Sequence, residues 1–329
     1  MTVPPPLDEL LADAHVVALP LAQRFRGVDS REAMLLRGPH GWTEFSPFVE
    51  YPDAEAAAWL RAAIEFGWSA APSRLRDSIP VNATLPAVGP DQVARVLERF
   101  GHCRTVKVKV AERGQELAED VARVRAARAF LGAEGRVRID ANGAWNVDEA
   151  ERAIHALAEF DLEYVEQPCG SVEELAEIRS RVKHMGVPIA ADESVRKAED
   201  PLAVARAGAA DLLVIKAQPL GGIRAALDIV AEAGLPVVVS SALDTSVGIS
   251  MGAHLAASIA ELEYDCGLGT AALLSADVTD EPLVPTAGAI PVHRVEVSRS
   301  LLERHAANPG RDQWWRDRLT RCYELLASA

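Results

Sequence analysis

The chain has 329 residues, 49% of them hydrophobic, and a formal net charge of -14. That length allows two domains, and that apolar share allows a large core and argues against a disordered chain. The acidic balance argues against nucleic acid as a partner and disfavours docking on anionic membranes, and no apolar run reaches the length of a membrane span.

The four cysteines, Cys103, Cys169, Cys266 and Cys322, are scattered and form no CxxC, which speaks against a zinc cage or a disulfide framework. Met1-Thr-Val-Pro-Pro-Pro6 is followed by Asp8 and Glu9 and lacks the basic start of a signal peptide, so a cytoplasmic location is expected. Nothing in the pattern sets an oligomeric state. Any anionic ligand would have to be captured by a locally positive site, against the global field.

Residues 1 to 12 are proline-rich and are expected to fray. Val16 to Leu21 reads as a strand and Phe25-Arg26-Gly27 as a turn or loop; Arg31 to Arg37 and Trp42 to Phe45 read as two more strands around a Gly38-Pro39-His40-Gly41 hairpin. Asp53 to Phe66 carries a helical stripe of Ala57, Leu60, Ala63 and Ile64. A small α+β domain is expected over residues 1–78.

A second rhythm starts near Ile79. Val81 to Leu85 reads as a strand and Pro90 opens a helix. Strands are then expected near 105–110, 136–140, 163–166, 188–191, 212–215, 236–240 and 263–266, with helices near 114–131, 146–159, 171–182, 197–207, 221–233 and 246–259. Such alternation means a parallel sheet with helical crossovers. The charged residues that close successive strands favour a closed (β/α)7β barrel over 79–274, because an open doubly wound sheet concentrates its site at one switch point. Residues 275–329 are expected to return to the first domain, with an amphipathic helix marked by Trp315, Leu319, Cys322 and Leu326.

Chemistry collects at the strand ends. Asp140, Glu166 and Asp192 follow one another at equal spacings of 26 residues, one strand–helix unit each. Three hard oxygen ligands with open positions suit Mg²⁺. Taken singly, each acid could be a helix cap or a salt-bridge partner, and each lysine a solvated charge. Lys107 and Lys109 point the same way along their strand, as do Arg138 and Asp140. A lysine beside a metal and a second lysine is favoured as the neutral amine and becomes available as a base. Lys216 lies far round the barrel from Lys109, so the two amines would flank a substrate.

Lys107-Val-Lys109, Arg138-Ile-Asp-Ala-Asn-Gly-Ala-Trp145, Tyr164-Val-Glu-Gln-Pro168, Ala191-Asp-Glu-Ser194 and Val214-Ile-Lys216 resemble the enolase superfamily in its muconate-lactonizing branch. Phe25-Arg26-Gly27, Trp42-Thr-Glu-Phe45, Val81-Asn-Ala-Thr84 and Cys266-Gly-Leu-Gly-Thr270 resemble, within that branch, the short o-succinylbenzoate synthases of menaquinone biosynthesis. The resemblance implies an α+β capping domain on a (β/α)7β TIM-like barrel. It implies Asp140, Glu166 and Asp192 as Mg²⁺ ligands, with Mn²⁺ as a substitute, and Lys109 as the base of a syn dehydration through an enediolate. Lys216 would stay cationic over the ring of a small carboxylate substrate. Lys107, Arg26, Arg138, Ser240, Ser241 and Gly267 are the expected substrate contacts. Thr43 departs from the glycine that the family usually has between Trp and Glu.

The same lysine pair would also suit a racemase or epimerase acting on N-acylamino acids or dipeptides. Such enzymes often carry Asp-x-Asp at the eighth strand, whereas this chain reads Tyr264-Asp265-Cys266-Gly267. Gly221-Gly222 opens a helix and could cradle an anion or simply make a tight turn. Gly267 to Ala272 fits GxGxxA, yet no long βαβ unit follows it, so it reads as a loop at the barrel mouth.

Overall fold

The computed structural model describes residues 4–25, 27–196 and 200–328. Arg26, an expected substrate contact, lies outside them.

The chain opens with α1 (Leu7–Ala12), β1 (His15–Phe25), β2 (Val28–Gly38), β3 (Gly41–Phe45) and α2 (Asp53–Trp68). β1, β2 and β3 form an antiparallel sheet, joined at the expected hairpin, where Gly38 pairs with Gly41. The expectation of a frayed start fails for residues 7–12. α1 buries Leu10 against the sheet and α2, which outweighs the local effect of the prolines.

Next come β4 (Ser78–Pro80), β5 (Ala83–Leu85), α3 (Val93–Leu97), β6 (Thr105–Lys109), α4 (Leu117–Leu131), β7 (Arg136–Asp140), α5 (Val147–Leu157) and β8 (Leu162–Glu166). They are followed by α6 (Val172–Val182), β9 (Ile189–Ala191), α7 (Glu193–Arg196), α8 (Ala203–Arg206), β10 (Leu212–Ile215), α9 (Ile223–Ala233), β11 (Val237–Val239) and α10 (Ser246–Ser258). β5 to β11 lie side by side in sequence order. Runs such as Leu212–Ile215 and Val237–Val239 are buried throughout, as strands covered on both faces must be. Capping boxes Asn146/Glu149 and Ser171/Glu174 start α5 and α6.

The eighth strand expected at 263–266 is reduced to single bridges, yet these close the ring. Cys266 donates to the Pro80 carbonyl at 2.8 Å and Gly267 to the Val239 carbonyl at 2.8 Å, while Asn82 and Ser241 donate back to Cys266 and Gly267. One short segment thus joins both edges of the sheet, and the fold is a (β/α)7β TIM-like barrel under an α+β cap. Gly267 packs closely against Ser240 there: a Cβ would stand 2.4 Å from Ser240 Oγ and 3.1 Å from its Cβ, so a larger residue would have to turn the hydroxyl aside.

β12 (Ala289–Pro291) pairs antiparallel with β4, α11 (Arg299–Arg304) follows, and α12 (Pro309–Ser328) packs on α2. Trp315 of α12 meets Phe45 edge-on at 5.7 Å and donates to Glu32 at 2.8 Å. Arg318, also buried, donates to the carbonyls of Phe48 and Tyr51 and so holds the segment that faces the barrel mouth. No helix of the described residues is long and apolar enough to cross a membrane.

Trp315→Ala should cost about 3–5 kcal/mol of stability, as for other large aromatic truncations in cores. Leu325→Ala, on the exposed face of the same helix, should stay within about 0.5 kcal/mol. Urea unfolding of both variants checks this; equal effects would mean that α12 does not pack as described.

Candidate active site

Register brings the charges together. Across β6, β7 and β8 the row runs Lys109, Asp140, Glu166, each the direct partner of the next, and Ala190 of β9 continues it two residues before Asp192. The three acids therefore end three adjacent strands, as their spacing anticipated. All are buried, and Lys107, Lys109 and Lys216 are nearly so.

Each acid holds an ammonium group. Lys107 bridges Glu166 at 2.7 Å and Asp140 at 3.0 Å. Lys109 donates to Asp140 and, at 2.8 Å, to Asn142. Lys216 donates to Asp192 at 2.5 Å. Burial alone would discharge these groups, and the pairs oppose it. For Asp140 the desolvation penalty is outweighed by Lys109 and Lys107, which leaves it well below the usual carboxylate range. For Asp192 the penalty is likewise outweighed, by Lys216 and Arg196, and its value is lowered. Lys107 is likewise held well above the usual lysine value by Glu166 and Asp140, against its burial. Lys109 goes the other way, lowered by burial with Lys107 adding repulsion.

Glu166 is the member left short. Burial and then the charge of Asp140 push it up to about 7, and its Oε2 is buried without a donor. Among the described residues no three metal-binding side chains are gathered closely enough to hold an ion as they stand. The donor set still fits a hard divalent cation. It is all oxygen, it comes from rigid strand ends, and its orphaned Oε2 and raised Glu166 would both be relieved by positive charge.

Asp192 and the three lysines line a partly open cavity of about 30 Å³, room for about two waters. Of the expected contacts, Lys107, Lys109, Lys216, Ser240, Ser241 and Gly267 line it. Ser241 donates to the Gly267 carbonyl at 2.8 Å and shares a 2.7 Å hydrogen bond with Thr270. Phe25, Lys109 and Asn142 also line a neighbouring cavity of about 260 Å³. A substrate larger than two waters needs the cap to open or these spaces to merge.

Arg138 does not line the cavity. It shares a face with Asp140 but sits one layer down, where it donates to Glu163, to Asn82 at 3.0 Å and to the Asp265 carbonyl at 2.6 Å, with Tyr164 beneath it at 4.8 Å. Gly222 does begin a helix aimed at an anion, but the anion is the protein's own Glu65, which accepts from Arg224 N at 3.2 Å.

Sequence reading missed Arg196, Phe48, Trp59 and Leu243, all of which line the cavity. Arg196 grips Asp192 at 3.1 Å and Glu193 at 2.7 Å, and reaches Tyr51 Oη at 3.1 Å. Its place one helical turn after Asp192 was the available signal. The wall at Ala242 and Leu243 is held from the cap. Arg31 donates to the Leu243 carbonyl at 3.2 Å, and Leu243 carries a left-handed φ of 63°. Glu44 of β3 accepts from Thr245 N at 3.1 Å and Gly248 N at 3.0 Å, capping α10 across the two layers. Thr43, the unusual residue beside it, is buried in the same strand.

The comparisons with known proteins agree with this geometry. A family model described as "Enolase C-terminal domain-like" matches residues 90–296, and one described as "Enolase N-terminal domain-like" matches 16–67. The chain is 58% identical over 305 residues to the o-succinylbenzoate synthase of Thermobifida fusca (strain YX), covering 92% of this chain and 93% of that one. It is 54% identical over 323 residues to the o-succinylbenzoate synthase of Mycobacterium tuberculosis (strain ATCC 25618 / H37Rv), covering 98% and 97%. The crystal structure of muconate lactonizing enzyme from Pseudomonas fluorescens, complexed with muconolactone, superposes with a TM-score of 0.75 at 22% identity, over 89% of this chain and 98% of that one. The L-Ala-D/L-Glu epimerase from Bacillus subtilis superposes at 0.74 with 24% identity, over 87% and 96%.

Two outcomes follow. Asp140→Asn, Glu166→Gln and Asp192→Asn should each weaken Mg²⁺ binding at least about 10-fold in calorimetric titration, the loss seen even for outer partners of a metal. Unchanged affinity in all three would remove the metal assignment. Glu44 gives the second: burial and then Asp244 push it up to about 7 from an ordinary 4.5. Folding therefore favours its protonated form, so its contribution is full below 4.5 and is lost as pH rises through about 7. Urea unfolding of Glu44→Gln should show a shallower fall in stability across that window than the unmutated protein; an identical slope would contradict it.

Proposed function

This chain belongs to the enolase superfamily and, within it, to the o-succinylbenzoate synthase family, and from that premise we propose that it dehydrates 2-succinyl-6-hydroxy-2,4-cyclohexadiene-1-carboxylate to 2-succinylbenzoate, as a carbon–oxygen lyase of menaquinone biosynthesis. Enzymes of the superfamily depend on a divalent metal. Asp140, Glu166 and Asp192 would hold Mg²⁺, with Mn²⁺ as a substitute. The ion would supply positive charge to the substrate carboxylate as the α-proton leaves.

The observation that carries the reading is the pair of amines that line one cavity from strands on far sides of the barrel. Lys109 ends β6 and Lys216 follows β10, four strands on round the barrel, and both line the cavity. Lys109 is the base. Burial favours its neutral amine, and Asn142 and Asp140 fix its position. In a syn dehydration the proton and the hydroxyl leave from one face, so the same amine then protonates the departing hydroxyl. Lys216, anchored on Asp192, stays a cation over the ring. Lys107, locked between Glu166 and Asp140, serves as fixed positive charge. Ser240, Ser241 and Gly267 form the wall that would hold substrate carboxylate. The buried ties of Arg138 suit support of the acid layer better than substrate contact. Residues 1–78 with 275–329 act as the capping domain and 79–274 as the catalytic barrel. The setting that goes with this reading is the cytoplasm.

The racemase or epimerase reading uses the same lysines, and its dipeptide form often carries an acid at the eighth strand end for the substrate ammonium. Asp265 is spent elsewhere, on Arg104 at 2.8 Å and Thr105 at 2.6 Å, and does not line the cavity.

Lys109→Ala should lower turnover by at least the ~10²- to 10⁴-fold typical of a positioned acid–base. Lys216→Arg should impair turnover yet leave exchange of the substrate α-proton with D₂O detectable by NMR. Mirror-image loss of exchange in the two variants, one enantiomer of an N-acylamino acid each, would instead establish two-base epimerisation.

A further inference from the structure

The cavity wall on the side of α2 is aromatic. Trp59 lines it, is wholly buried, and meets Tyr51 edge-on at 6.3 Å. Its indole N–H has no acceptor. The neighbouring donors are committed. Lys107, Lys109 and Lys216 sit on the three acids, Arg196 on Asp192, Glu193 and Tyr51, and Ser241 on the Gly267 carbonyl. Of the buried donors left without an acceptor among the described residues, Trp59 Nε1 is the one carried by a cavity-lining side chain.

An indole nitrogen can only donate, so its partner has to be an acceptor, and a donor left buried and unpaired keeps its full desolvation penalty until one arrives. The substrate proposed above has two carboxylates. The one on the ring belongs beside the acids, the lysines and the wall of Ser240, Ser241 and Gly267, where the proton is removed. The one at the end of the succinyl arm needs its own donors, inside a chain whose net charge of -14 repels it. A hydrogen bond to a charged acceptor is about twice as strong as a neutral one, which makes a carboxylate the acceptor best able to repay the burial of this N–H.

We infer that the Trp59 indole N–H binds the terminal carboxylate of the succinyl arm, so that a residue of the cap selects substrates carrying a second acid. The inference rests on the dehydratase reading. Its test compares two ligands on the Mg²⁺-loaded protein by calorimetry. One is 2-succinylbenzoate. The other is 2-butyrylbenzoate, which keeps the ring carboxylate and the ketone but ends in a methyl group. Trp59→Phe keeps an aromatic ring and removes the donor. It should weaken 2-succinylbenzoate roughly 10- to 100-fold, the size expected for losing a hydrogen bond to a charged group, and change 2-butyrylbenzoate less than about 3-fold.

Equal loss for both ligands would assign Trp59 to packing or to the ketone, and no loss would leave its N–H without a role; either overturns the inference while leaving the dehydratase reading intact. Failure of the unmutated protein to bind 2-succinylbenzoate at all would overturn both. A readout on the unmutated protein covers the case in which the variant does not fold. With ¹⁵N-labelled tryptophan, one indole N–H signal of the six should move downfield with 2-succinylbenzoate and stay in place with 2-butyrylbenzoate. No selective shift would count against the inference.

Discussion

Three carboxylates buried at one end of a barrel in an acidic protein can stay ionised only if positive charge is built in beside them. This requirement shapes the rest of the molecule. Taking a carboxylate out of water costs several kcal/mol, and removing one partner of a buried pair leaves that cost uncompensated. Lys107, Lys109, Lys216 and Arg196 supply the compensation, each from a strand end or the first turn after one. The arrangement is balanced except at Glu166, whose second oxygen has no donor. That shortfall is where a further cation has a physical reason to bind, and it lies within reach of an amine lowered by burial. On the proposed function, metal affinity and proton abstraction would both come from one imbalance of charge.

The cap completes what the barrel starts. Arg31 and Glu44 reach across to hold the Leu243 carbonyl and the first turn of α10, and Leu243 keeps a left-handed backbone there. Arg318, from the far end of the chain, fixes the carbonyls of Phe48 and Tyr51. Tyr51 in turn meets Arg196, which grips Asp192. A continuous set of hydrogen bonds therefore runs from α12 through the cap to an acid of the site. Core packing at Trp315 and the position of Asp192 are linked by contacts, although they lie far apart in sequence.

Much of this was legible in the chain itself. A period of two inside short Val- and Ile-rich runs, with a charge at the end of each, was enough to set strands, their order and the acids on them. Equal spacing of Asp140, Glu166 and Asp192 located three adjacent strand ends because each strand–helix unit has nearly fixed length. Alternation also has a limit: it tells which face a side chain is on, but not its height along the barrel. Arg138 shares the face of Asp140 yet lies a layer below, tied to Asn82 and Glu163. The eighth strand was read as regular, while ring closure needed only the bridges at Cys266 and Gly267. Trp59 could not be found by local pattern, because a helical stripe of apolar residues looks the same whether it faces a core or a cavity, and Phe48 lies between elements, where no periodicity marks it. The prolines near the start signalled fraying, but burial of Leu10 against distant residues overrode them.

The most direct measurement follows the ultraviolet spectrum of 2-succinyl-6-hydroxy-2,4-cyclohexadiene-1-carboxylate mixed with the purified protein and Mg²⁺. The charge arrangement described here predicts rapid loss of the diene and appearance of aromatic 2-succinylbenzoate, stopped by excess chelator and restored by Mg²⁺. Persistence of the diene, with racemisation of an N-acylamino acid by the same sample, would contradict it.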